Sequence, residues 1–294
     1  MSEDKPKKPS KRTVFFRRAL STLVMWALVV WVFVSGAPLG FFALLAALTL
    51  FGLWEILRMA GTQVSSVAKG GTLVLAALYL CGVRFGEFSP GVMEVGLLAV
   101  LVLGSFALAM RKEPTGLITL SEVAIPVLAF VLVPLMFYGA IDRLVFDTEG
   151  ASAVPGAWLV LWLIAVTKFS DMGAYITGSL VGKRKMIPHI SPGKTWEGLA
   201  GGFGFSLLAG VGLYAVAGSK LSAFSGWAEV VMLSVVLCGV AVVGDLAESV
   251  LKRSLVVKDS GAALPGIGGV LDLIDSICFT APILWLWLGL RGAL

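Results

Sequence analysis

Long apolar stretches are the feature that most constrains the fold of this 294-residue chain. About 20 apolar residues in a helix are enough to cross the hydrocarbon core of a bilayer. Nine stretches qualify, at residues 18–35, 38–57, 70–86, 91–110, 117–140, 156–179, 197–217, 227–251 and 274–292. Charged residues make up only 14% of the chain, against about a quarter in soluble domains. The sequence therefore predicts an all-α, polytopic integral membrane protein with about nine transmembrane helices.

The positions of the basic residues predict how the chain is oriented. If the N-terminus is cytoplasmic, the inside segments contain 18 of the 23 Lys and Arg residues and the outside segments contain four. Cytoplasmic loops carry such an excess of basic residues. The net charge of +5 is then a feature of topology and of attraction to anionic lipid, and nothing in the sequence indicates a nucleic-acid partner.

Polar residues divide the chain into three parts. We expect a basic cytoplasmic tail at 1–17, N-terminal transmembrane helices at 18–150, and a second transmembrane region at 151–294. Most of the unusual polar chemistry lies in the two longest inside connections, 180–196 and 252–273. Function is therefore expected at the cytoplasmic face.

The first polar cluster begins within the helix predicted at 156–179 and continues into the connection that follows it. Lys168, Asp171 and Tyr175 have i, i+3, i+7 spacing and share one helical face. Charges within a span usually pair with one another or line a wet cavity, so both a structural ion pair and a polar site remain open.

The segment "SPGKTWEG" at 191–198 precedes the next predicted helix. A helix N-terminus next to Gly, Ser, Thr and Lys suits phosphate binding, although the spacing is not that of a Walker A loop. A solvated basic turn is the alternative. His189, the single histidine in the chain, is expected to be incidental.

The second polar cluster joins the last two predicted helices. Asp245, Glu248 and Lys252 share a helical face, and Asp272 and Asp275 are spaced i, i+3. Carboxylates that converge at one cavity provide the oxygen ligands that Mg²⁺ prefers, usually together with substrate phosphates. These residues indicate metal-assisted chemistry on phosphates, with a flexible loop of solvated charges as the alternative.

The stretch "SVLKRSLVVKDSGAALPGIGGVLDLIDS" at 249–276 resembles the signature of the CDP-diacylglycerol synthases, or phosphatidate cytidylyltransferases. Two upstream segments, "SDMGAYITGSLVGKRK" at 170–185 and "SPGKTWEG", match that family's other polar blocks in type and order. The resemblance covers roughly 165–280, whereas the first half of the chain resembles the family only as a series of spans.

The resemblance implies transfer of CMP from CTP to phosphatidic acid, with release of pyrophosphate. It also implies Mg²⁺, a monovalent cation such as K⁺, a homodimer, and a bacterial cytoplasmic membrane with the active site facing the cytoplasm. The metal ligands carried over from the family pattern are Asp245, Asp272 and Asp275. The other catalytic residues are Lys252, Lys258 and Asp259, and the substrate-binding residues are Asp171, Ser191, Lys194, Thr195, Arg253 and Ser260.

Two positions depart from the family signature. Ile267 occupies the usual place of a histidine, and Leu273 that of an arginine. These departures leave open a related CTP-dependent enzyme that acts on another lipid, either a cytidylyltransferase or a polyprenol kinase. A transporter or scaffold is a further alternative, but the polar residues gather on one side and no inverted repeat is seen.

Overall fold

A computed structural model of the chain describes residues 27, 29, 31–33, 35–86, 89–148, 154–257, 260–261 and 268–294. The start of the first predicted span and the predicted site residues Lys258 and Asp259 lie outside the described residues, as does Ile267.

The described residues form a helical bundle. Its α-helices are α1 (Pro38–Met59), α2 (Ser66–Phe85), α3 (Pro90–Ala109), α4 (Leu117–Phe130), α5 (Ala140–Phe146), α6 (Ala157–Val181), α7 (Trp196–Ala217), α8 (Trp227–Ser254) and α9 (Leu271–Leu290). Short 3-10 turns lie at Gly61–Gln63 and Gly218–Lys220. Eight membrane-length apolar spans are present in the described part of the chain. They confirm eight of the nine predicted spans, and the protein is an integral membrane protein.

The fourth of these eight spans is longer than its sequence suggested. A π-helix at Val131–Gly139 joins α4 to α5, so one continuous span runs over Leu117–Phe146 where the apolar pattern predicted 117–140. Pro126 and Pro134 lie inside this span. Proline has no N–H to donate, and wider π-turns accommodate such interruptions within a helix.

Small residues bring α6 and α7 close together. A side chain at Gly201 would overlap Thr177, and one at Gly173 would overlap Phe205. Glycine at such positions lets two helix backbones approach inside a membrane. This close packing fixes the connection between α6 and α7, which carries the "SPGKT" segment.

That connection contains a small β-hairpin, which was not predicted. Strand β1 (Lys185–Ile187) pairs antiparallel with β2 (Ser191–Thr195). "SPGKT" is therefore a strand that leads into α7, whereas the sequence predicted only a segment before that helix, with a solvated basic turn as the alternative. Thr195 ends the strand as the N-cap of α7, and its hydroxyl accepts a hydrogen bond from the Gly198 N–H at 3.0 Å.

Ion pairs join helices at the end of the bundle opposite the hairpin. Arg143 lies 2.5 Å from Glu94, and Arg291 lies 2.6 Å from the buried Glu229. The Trp287 indole N–H also donates to Glu229. These contacts tie α3 to α5, and α8 to the end of α9, at the end remote from the hairpin.

Candidate active site

A cavity of about 490 Å³ lies between the hairpin and the adjoining parts of α6, α7 and α8. Four predicted substrate-binding residues line it together: Asp171, Ser191, Lys194 and Thr195. The structure thus brings the first polar cluster into one space, which also reaches Asp245 of the second cluster.

Lys194 links the hairpin to α8. Its Nζ lies 2.7 Å from Asp245 Oδ2 and donates to the Val242 carbonyl at 3.3 Å. The neighbouring Thr195 is buried and uses its hydroxyl to cap α7. Lys194 is therefore the charged group of "SPGKT" that the strand presents to the cavity.

Asp245, Glu248 and Asp275 form a compact carboxylate cluster. One oxygen from each residue lies within 4.8 Å of the others. Glu248 is buried, and its Oε1 has no hydrogen-bond partner among the residues that the structure describes. A buried carboxylate oxygen without a partner is costly, and a hard divalent cation bound by oxygen ligands would satisfy it. The oxygens of these three carboxylates fit such a cation. The sequence had predicted Asp245, Asp272 and Asp275 as its ligands.

Asp272 lies beside this cluster and has other partners. Its Oδ1 is 3.0 Å from Lys252 Nζ, and its Oδ2 accepts the Gly269 N–H at 2.9 Å. Lys252 in turn lies 2.8 Å from Glu248 Oε2. Lys252 therefore lies between Asp272, a predicted metal ligand, and Glu248. Glu248 was not among the metal ligands predicted from the sequence.

Lys168 connects the two polar clusters from α6. Its Nζ lies 3.5 Å from Asp171 Oδ2 and 3.8 Å from Asp275 Oδ1. The structural ion pair considered from the sequence exists, and it stands at the edge of the cavity. Lys168 and Asp171 can therefore form a structural ion pair and also belong to a polar site, so the two alternatives are compatible.

Glu55 supports the site from the N-terminal half of the protein. It lies on α1, is fully buried, and accepts the Leu271 N–H on Oε2 at 2.8 Å. A side chain at Gly261 or Gly269 would overlap it. Sequence reasoning missed Glu55, although a single acid inside the apolar stretch "FGLWEIL" at 51–57 was the available signal.

The remaining predicted residues differ in their surroundings. Ser260 is buried, and its hydroxyl lies near Glu55, since a Cβ added at Gly269 would overlap both side chains. Arg253 is exposed on the last turn of α8. Ser260 therefore faces the polar interior near Glu55, whereas Arg253 is open to the surroundings.

The fold and the site define an integral membrane protein whose carboxylates and lysines suit chemistry on phosphates. The sequence model of the cytidylyltransferase family matches residues 16–290. A phosphatidate cytidylyltransferase of Bacillus subtilis is 32% identical over 280 residues, covering 94% of this chain and 99% of that protein. One from Haemophilus influenzae is 29% identical over 275 residues, covering 90% and 96%. The chain belongs to the cytidylyltransferase family and is a nucleotidyltransferase.

Proposed function

We propose that this protein is a phosphatidate cytidylyltransferase that makes CDP-diacylglycerol for phospholipid synthesis. The observation that carries the proposal is the cluster of Asp245 with the buried Glu248 and Asp275, beside a cavity that contains Lys194. Similarity to relatives of that name over nearly the whole chain supports it.

The proposed reaction is an in-line displacement at phosphorus. A phosphate oxygen of phosphatidic acid forms a bond to the α-phosphorus of CTP. The bond from that phosphorus to the oxygen bridging the β-phosphate breaks, and pyrophosphate leaves with the bonding pair. Such a reaction depends on positioning and charge neutralisation, so no covalent enzyme intermediate is expected.

Asp245, Glu248 and Asp275 would hold Mg²⁺, with Asp272 as a further candidate ligand from the family pattern. A bound divalent cation neutralises charge on the phosphates and orients them. The resemblance adds a monovalent cation such as K⁺. Replacing K⁺ by Na⁺ in the assay, at constant ionic strength, tests that requirement.

The lysines of the site have separate tasks in this proposal. In this proposal the cavity of about 490 Å³ binds the nucleotide, and Lys194 contacts the triphosphate there. Asp171 and Ser191 offer hydrogen-bonding groups from the cavity wall. Lys252 is held between Glu248 and Asp272, where its charge offsets carboxylates and phosphates. Lys258, Asp259, Arg253 and Ser260 remain proposed participants on the basis of the resemblance.

The test is an assay of the purified protein in mixed micelles with Mg²⁺, phosphatidic acid and CTP labelled at the α-phosphate. We expect labelled CDP-diacylglycerol and one pyrophosphate per turnover. Release of CDP with transfer of the γ-phosphate would identify a lipid kinase instead. Absence of labelled lipid in every detergent and lipid mixture would reject the proposal.

The same proposal places the protein in a bacterial cytoplasmic membrane, with the site facing the cytoplasm, as a homodimer. Light scattering of the protein eluting from a size-exclusion column tests the dimer. A mass of two chains after subtraction of detergent is expected, and a mass of one chain would contradict it.

A further inference from the structure

An apolar groove of about 560 Å³ lies on the outside of the bundle, mainly between α8 and α9. We call it the α8–α9 groove. The residues that define it are Val236, Gly239, Val243, Phe279, Ile283 and Leu286. Val243 and Leu286 are 58% and 49% exposed, so the groove opens sideways to the bilayer.

One end of the groove lies next to the carboxylate cluster. Phe279 lines both the groove and a small cavity that contains Glu248 and Asp275. Val243 also lies one helical turn before Ala247 on α8, which lines the same small cavity. The apolar surface therefore begins where the polar site ends.

From that end the groove follows both helices away from the loop that joins them. It extends from Val243 back to Val236 on α8 and from Phe279 on to Leu286 on α9. Seven residues of helix rise about 10 Å, so the two walls have equal length. They run from the level of the carboxylates toward the middle of the membrane.

We propose that the α8–α9 groove binds an acyl chain of the lipid substrate while the lipid phosphate lies at the carboxylate cluster. This inference rests on the proposed function, because it assigns a place to the hydrocarbon part of that substrate. A lipid with its phosphate at Asp245, Glu248 and Asp275 must direct its chains along the helices into the hydrocarbon. The groove offers apolar walls at the right depth, and its open side lets a lipid enter laterally.

Gly239 allows a direct test. A Cβ added at Gly239 meets no atom within 4 Å, so Gly239→Leu fills the groove without displacing the helix backbone. Gly212→Leu is the matched control, because Gly212 on α7 also has open space around it and is exposed.

Both variants are assayed with dioleoyl and with dihexanoyl phosphatidate, and their oligomeric state is measured. For Gly239→Leu we expect kcat/KM with the long-chain lipid to fall about tenfold. A loss of this size corresponds to roughly two methylene groups of the acyl chain that are no longer buried in the groove. The loss should be much smaller with the short-chain lipid, and the KM for CTP should change little. Gly212→Leu should match the wild type with both lipids.

Three outcomes would overturn the inference. Equal losses with both lipids would mean that the substitution damages the polar site, and unchanged long-chain kinetics would mean that the groove is not used. A changed oligomeric state would identify the groove as a contact between subunits. If the wild type converts neither lipid, the proposed function fails first, and this inference fails with it.

Discussion

Glu248 shows how burial separates the roles of neighbouring carboxylates. Asp272 already accepts hydrogen bonds from Lys252 and the Gly269 N–H. One oxygen of Glu248 is buried and has no partner within the described part of the chain. A group left in that state needs a cation or a proton to compensate its desolvation. At the residue scale, Glu248 is thus the stronger candidate for direct metal contact.

Glu248→Gln is expected to raise the Mg²⁺ concentration for half-maximal activity by about 10- to 100-fold, because an amide is a weaker metal ligand than a carboxylate. Activity titrated against Mg²⁺ at saturating CTP measures this shift. Asp272→Asn serves as the comparison and is expected to lower kcat with a smaller change in Mg²⁺ dependence. The assignment is contradicted if Asp272→Asn shows the larger Mg²⁺ shift.

Lys194→Met is expected to raise the KM for CTP by about tenfold or more, since a charge-assisted hydrogen bond contributes roughly 1.5–3 kcal/mol. Lys220→Met is the control, because Lys220 is an exposed lysine beyond the far end of α7. Initial rates at varied CTP measure the effect. An unchanged KM in the Lys194 variant would remove this lysine from the nucleotide cavity.

Glu55 matters at the scale of elements, because it joins the N-terminal half of the bundle to the start of α9. A carboxylate that accepts an N–H at a helix N-terminus satisfies an otherwise free donor and favours the helix dipole. The glycines at 261 and 269 leave room for this contact. The first turn of α9 carries Asp272, so Glu55 positions a predicted site residue through the backbone.

Glu55→Ala is expected to lower kcat about tenfold, with little change in the KM for CTP, because the first turn of α9 loses its anchor. The same change should cost roughly 1–2 kcal/mol of stability. Glu55→Gln keeps an acceptor oxygen and should restore most of the activity. Thr49→Val is the control, because Thr49 is buried on the same helix and its hydroxyl donates to the Leu45 carbonyl of that helix. A similar loss of kcat in Thr49→Val would mean that the effect of Glu55→Ala reflects general disturbance of α1 and not the contact with Leu271.

How far the sequence predicts each element depends on whether its signal is local. Apolar run length predicted eight described spans. Helical spacing placed Asp245 and Glu248 on one helical face and Asp272 beside Asp275, and the carboxylates of the two helices were expected to meet at one cavity. The π-helix at Val131–Gly139 depends on how two prolines are accommodated within one span, and the hairpin at 185–195 depends on pairing across a turn. Glu55 meets Leu271 across 216 positions, a contact that no local pattern contains.

At the scale of the whole molecule, the two ends of the bundle differ in chemistry. The hairpin end contains Lys194, Lys252 and the carboxylate cluster around a cavity. The opposite end contains paired charges that close the helix ends, such as Arg143 with Glu94. A phosphate-rich nucleotide suits the first end, and the distribution of basic residues predicts that this end faces the cytoplasm.

Cysteine labelling tests this orientation. The native cysteines at 81, 238 and 278 are replaced, and single cysteines are introduced as His189→Cys in the hairpin or Lys220→Cys at the opposite end. The 22-residue α7 separates these sites by about 33 Å, which is enough to span a membrane. With intact spheroplasts and a membrane-impermeant maleimide, Lys220→Cys should react at once and His189→Cys only after permeabilisation. Retained activity in His189→Cys would agree with an incidental histidine. Labelling of His189→Cys in intact spheroplasts would place the nucleotide cavity on the outside, where cellular CTP does not reach it.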